Sequence, residues 1–99
     1  MPTLVKEAKN LFERHAYTRK GGKKNRKTQQ KRALFFCDWA QKKYGITSLG
    51  QIGKNQIHEF FKQHSHLAVS TQYGYWLALC DLWLFSEKQG KPPKPQQAA

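Results

Sequence analysis

From Tyr73 to Phe85 the chain is apolar at almost every position, with Tyr73, Tyr75, Trp76, Leu77, Leu79, Cys80, Leu82, Trp83, Leu84 and Phe85 interrupted only by Gly74, Ala78 and Asp81. Ser70 or Thr71 can cap this segment, and it reads as a helix running to Lys88 with hardly any polar face. A helix that is apolar all round is stable only when other elements surround it, so it belongs at the centre of a helical bundle. If too few other helices are present to cover every side, the open side becomes a surface for a partner. Asp81 and a length well short of the roughly 20 residues that span a bilayer exclude a membrane segment.

The rest of the chain supplies three further helices. Thr3 can cap one to about Tyr17, with Leu4, Val5, Ala8, Leu11, Phe12 and His15 on one face. Thr28 can cap a second to Tyr44, with Ala33, Phe36, Cys37, Ala40 and Tyr44 inward and Lys31, Asp38, Gln41 and Lys42 outward; Gly45 supplies the stop. Ile46 to Ile52 reads as a turn that tucks Ile46, Leu49 and Ile52 under the fold. A short third helix follows from Asn55 to His64, with Ile57, Phe60 and Phe61 as its buried stripe. Gly90 is expected to end the fourth helix, and Lys91-Pro92-Pro93-Lys94-Pro95 reads as a stiff tail or linker leading away. The expectation is an all-α single domain of four main helices over residues 1–90, followed by a Pro-rich tail at 91–99.

Charge narrows the function. Eighteen Lys and Arg against six Asp and Glu leave +12 in 99 residues, while thirteen aromatics (six Phe, four Tyr, three Trp) argue for a folded centre rather than a disordered basic tail. Arg19, Lys20, Lys23, Lys24, Arg26, Lys27, Lys31 and Arg32 form a cluster with no acidic residue among them. Residues 18–27, with Gly21 and Gly22 and no apolar side chain, read as a flexible basic loop that can follow a phosphate backbone and feed a helix N-terminus that also favours anions. The start of the chain carries no secretory pattern, so a cytoplasmic protein is expected. Cys37 and Cys80 fall in aromatic-rich helical patterns and read as free, buried thiols. His64-Ser65-His66 lacks the paired ligand spacing of a structural metal site, and no carboxylate pair, phosphate-binding glycine loop or Ser-His-Asp set is present, so neither metal nor cofactor is expected.

Three stretches together resemble the helical core-binding domain, of SAM-like fold, at the N-terminus of tyrosine recombinases and phage integrases. They are Thr28 to Trp39; Thr47-Ser48-Leu49-Gly50-Gln51-Ile52 with Ile57, Phe60 and Phe61; and Leu67-Ala68-Val69-Ser70-Thr71 opening a helix with Leu77, Leu79, Leu82, Trp83 and Phe85 that closes on Gly90 and Pro95. The resemblance implies a SAM-like orthogonal bundle, binding to double-stranded DNA, a part in DNA integration and recombination, and association with the nucleoid. It also implies that the second and fourth helices contact DNA. The matching positions are Thr28, Gln29, Gln30, Lys31 and Arg32 on one, and Ser70, Thr71, Gln72 and Tyr75 on the other, with Ser70 and Thr71 open to a capping role instead.

The family's catalytic Arg, His-x-x-Arg and nucleophilic Tyr have no counterpart here. The last arginine is Arg32 and the last tyrosine Tyr75. No strand cleavage is expected of this chain, whether it is a fragment that lacks its catalytic domain or a free-standing binding protein. A small RNA-binding protein, stacking unpaired bases on aromatics such as Trp39 or Tyr75, and a protein-interaction module using the fourth helix are the other readings.

Overall fold

The structure is a computed structural model that describes residues 4–15 and 23–95, with the backbone alone for 23–26. Four α-helices, α1 (Leu4–Arg14), α2 (Lys23–Tyr44), α3 (Lys54–Gln63) and α4 (Val69–Phe85), and one 3₁₀ turn (Leu49–Gln51) account for its regular structure. No strand occurs among the described residues, and the expected all-α domain of four main helices is what forms. No helix among them is long and apolar enough to cross a membrane.

α2, which packs against α1, α3 and α4, is the centre of the bundle, a place the sequence pattern gave to α4. On α4, Trp76, Ala78, Leu79, Leu82, Trp83 and Phe85 are buried. α1 closes one side as its spacing requires: Leu4, Ala8, Leu11 and Phe12 are buried, Phe12 meets Phe85 edge-on at 5.0 Å, and the His15 ring stacks on Phe85 at 4.6 Å. α2 contributes Ala33, Phe36, Cys37 and Ala40. Three helices do not cover all of α4, however. Val69, Tyr73, Leu77 and Leu84 stay exposed along one side at helical spacing.

Phe60 of α3 sits at the aromatic centre. It is wholly buried, and the rings of Phe36, Trp39, Phe61, His64 and Tyr75 stand 4.3–5.6 Å from it. The 46–52 turn behaves as its pattern suggests, burying Ile46, Leu49 and Ile52. Ser48 Oγ accepts from the Gly50 N–H at 3.3 Å, and Gln51 Oε1 accepts from Thr47 N–H at 2.9 Å. Gln56 then accepts from the Gly53 N–H at 2.7 Å, fixing the start of α3.

Several boundaries differ from the sequence reading. α2 begins at Lys23, so Thr28 lies inside the helix and the basic residues 23–27 are helical; the rest of the expected loop, the Thr3 cap and residues 16–17 lie outside the described residues. Lysine and arginine are good helix formers, and the lack of apolar periodicity concealed their propensity. Tyr44 is exposed, because the core ends before the last turn of α2. Gln41 turns in to accept the Leu4 N–H at 2.9 Å, satisfying a donor at the start of α1.

α4 stops at Phe85, before Gly90. Glu87 takes φ 61°, and the Glu87 and Lys88 N–H groups bond Leu84 O at 3.1 Å and Trp83 O at 3.0 Å, closing the helix in a Schellman motif. A left-handed backbone suits glycine better than glutamate. Glu87→Gly should therefore stabilise the domain by about 0.5–1 kcal/mol, offset in part by the greater freedom of glycine in the unfolded chain. A urea midpoint that fails to rise would show that the motif is not under strain.

Residues 91–95 do not lead away. Pro92 is buried, its carbonyl accepts from Trp76 Nε1 at 3.0 Å, and Lys94 lies over the Trp76 ring at 5.3 Å. Residues 96–99 lie outside the described residues.

Both thiols are free, but only Cys37 is buried; Cys80 is half-buried. Burial, with a smaller contribution from Glu7, pushes the Cys37 pKa from 9.0 up to about 12. Cys80 is raised by burial against the opposing pull of Lys91, with Asp81 raising it and Lys94 lowering it further. The folded Cys37 holds its proton more tightly than the unfolded thiol. Its contribution to stability is complete below pH 9 and is lost as the pH climbs towards about 12. A disulfide-exchange reagent at pH 8 should titrate Cys80 in the native protein and reach Cys37 only on unfolding; equal rates would contradict the packing of α2.

Candidate nucleic-acid interface

The sequence pattern puts the basic residues up to Lys27 on a loop and Lys31 and Arg32 on the second helix, whereas the structure places all of them from Lys23 onward on α2. Lys23, Lys24, Arg26, Lys27, Lys31 and Arg32 all fall in the stretch Lys23–Arg32, which at 1.5 Å per residue is about 15 Å of helix. None of residues 27–32 is buried, and the core begins at Ala33. This part of α2 extends past the packed centre. The chain contains no acidic residue between Glu13 and Asp38, so nothing within this stretch neutralises it. A cationic first turn also opposes the helix dipole, whose positive end lies there. Bound anions would relieve both repulsions.

Arg19 and Lys20 lie outside the described residues, as do the side chains of Lys23, Lys24 and Arg26. Lys27, Thr28 and Lys31 are exposed, while Gln29, Gln30 and Arg32 are half-buried. Gln29 turns its Oε1 into the protein, where the atom is buried without a hydrogen-bond partner among the described residues.

Arg32 is seated rather than free-swinging. Its guanidinium rests on Gly74 of α4, where a Cβ would come within 2.8 Å of Cζ, and lies 5.8 Å from the centre of the Tyr75 ring. The isolated glycine inside an apolar helix is the sequence signal for this seat. No carboxylate pairs with Arg32 among the described residues.

The first turn of α4 adds a second group. Ala68 occupies the N-cap and offers no side-chain hydrogen bond, so neither Ser70 nor Thr71 caps the helix. Both hydroxyl residues stand in the first turn, Ser70 exposed and Thr71 half-buried. Gln72 faces the other way: it is buried, and its Nε2 donates to Leu67 O at 2.8 Å and Ser65 O at 3.4 Å. It pins the α3–α4 connection and cannot reach a ligand. Tyr75 is half-buried between Arg32 and the rings of Phe35 and Phe60.

His64 is held inside this arrangement, its Nδ1 2.7 Å from Phe60 O. No group of three His, Cys, Asp or Glu side chains that could hold a metal occurs among the described residues.

The sequence reading also passed over Phe35. It lies off the Ala33, Phe36, Cys37, Ala40 row and is 46% exposed, beside Tyr75 at 5.6 Å. A large aromatic on the polar side of an otherwise well-patterned helix was the available signal.

No protein-family model, no curated protein and no solved structure matches this chain.

Proposed function

We propose that this domain binds double-stranded DNA, with the basic N-terminal part of α2 lying along the phosphate backbone and the first turn of α4 beside it. The observation that carries this reading is the stretch Lys23–Arg32, helical, cationic and free of core residues in its described part. A helix that projects past its own core and carries one sign of charge is suited to a polyanion of regular phosphate spacing. Lys27, Lys31 and Arg32 are the described cations for phosphate. Gln30, Ser70, Thr71 and Tyr75 are the polar side chains proposed for sugar or base contacts, with Thr28 beside them on α2; Gln72, which is buried, and Gln29, whose Oε1 is buried, are not.

The resemblance to the core-binding domain of tyrosine recombinases supports the same assignment and extends it. On that reading the four helices form a SAM-like bundle, and the protein serves DNA integration or recombination by holding DNA without cleaving it. Such a protein would sit with the nucleoid.

Fluorescence anisotropy of a labelled duplex, at two salt concentrations and with an RNA hairpin as competitor, tests the proposal. Salt-sensitive duplex binding that the hairpin displaces poorly is the expected result. Failure to bind duplex at low salt would overturn it.

A further inference from the structure

Single exposed apolar residues are ordinary on protein surfaces. Phe35 is not single. Its ring is set by Tyr75 at 5.6 Å, His64 at 5.7 Å and Phe60 at 6.1 Å, so residues from α4, α3 and the turn after α3 fix its orientation. One turn further along α2, the Trp39 indole donates to Gln63 Oε1 at 3.2 Å. Phe35 and Trp39 line a shallow groove together with Asp38, Lys42, Lys43 and Gln63.

The cations around this surface are not equivalent. Lys42 is paired with Asp38 at 3.0 Å, and Lys43 lies 3.8 Å from Glu59. Arg32, one turn before Phe35, has no such carboxylate among the described residues and rests over Tyr75 in the space that Gly74 leaves. A strand tracking the basic part of α2 towards the core therefore meets Arg32 first and the aromatic surface next.

We infer that this surface seats an unpaired base of a DNA strand, stacked on Phe35 beside Tyr75, with Arg32 on an adjoining phosphate. The inference rests on the DNA-binding reading above and deepens it: the domain would prefer DNA in which part of the duplex is open. Aromatic faces bordered by cations bind unpaired bases with little regard to sequence, because every base has a π face. Rings already held by their neighbours lose little freedom when a base stacks on them.

The test compares a perfect duplex, the same duplex with a central mismatched bubble, and an RNA bubble of the same sequence, by anisotropy, using the full chain, Phe35→Leu and Phe35→Tyr. The bubble should bind about fivefold or more tighter than the perfect duplex. Phe35→Leu should bring that ratio close to one without changing duplex affinity, and Phe35→Tyr should keep it. Equal affinity of the unaltered protein for bubble and duplex would overturn the base seat and leave duplex binding intact; binding to neither would overturn the underlying reading. A preference that survives Phe35→Leu would remove Phe35 from the seat, and tighter binding of the RNA bubble would overturn the assignment to DNA.

Discussion

Phe60→Ala should lower the unfolding free energy by about 3–5 kcal/mol, the usual range for emptying a buried phenylalanine site. Phe60 belongs at the upper end, because it is wholly buried and its neighbours are themselves rings held by one another, Trp39 tilted on Phe36 at 5.9 Å and edge-on to His64 at 6.2 Å, so they cannot collapse into the space without leaving those contacts. A domain of this size has about 5–15 kcal/mol in total, so a third or more of its stability would go, and the thermal midpoint would fall by roughly 15–30 °C. Urea unfolding followed by tryptophan fluorescence reads the loss, since Trp39 lies 5.3 Å from Phe60. A loss under about 1 kcal/mol would show that the aromatic centre is loosely packed.

The second large effect is on binding. If about five phosphates are neutralised, the logarithm of the affinity falls with the logarithm of salt at a slope near −4.5, several hundredfold between about 50 and 200 mM. Converting Lys24, Lys27 and Lys31 to Gln removes three charges while keeping good helix formers in α2. If each contacts one phosphate, the slope should shrink to about −2, and the affinity at about 100 mM salt should drop by two to three orders of magnitude. Circular dichroism of the triple variant should be unchanged. An unaltered slope would mean that the projecting part of α2 does not touch the phosphates.

What could be read from the sequence was whatever a local pattern encodes. The α1 face, the Ile46-Leu49-Ile52 tuck, the buried stripe of α3 and the stop at Gly45, which has φ 68°, all follow from spacing or from one residue's backbone preference. What could not be read depended on distant partners. Gln41 accepts the N–H of Leu4, and Glu7 accepts that of Leu49 at 3.2 Å; neither pairing has a local signature. The start of α2 was hidden for the opposite reason, since a helix that projects past its core needs no apolar face.

The candidate site divides the same way. Its charge was plain in the run from Arg19 to Arg32. Its geometry was not: Gln72 points inward to hold a turn, and Arg32 owes its position to Gly74 on another helix.

The docking of Pro92 on Trp76 bears on how anything joined after residue 95 would be tethered. Ten residues separate Phe85 from that point, and as a free extended linker they would give roughly 30 Å of reach. Laid back against α4 they give almost none. For a fused domain or label, the tether would be counted from a fixed place on the bundle, so its local concentration near the α2 surface would not depend on the ten residues before it.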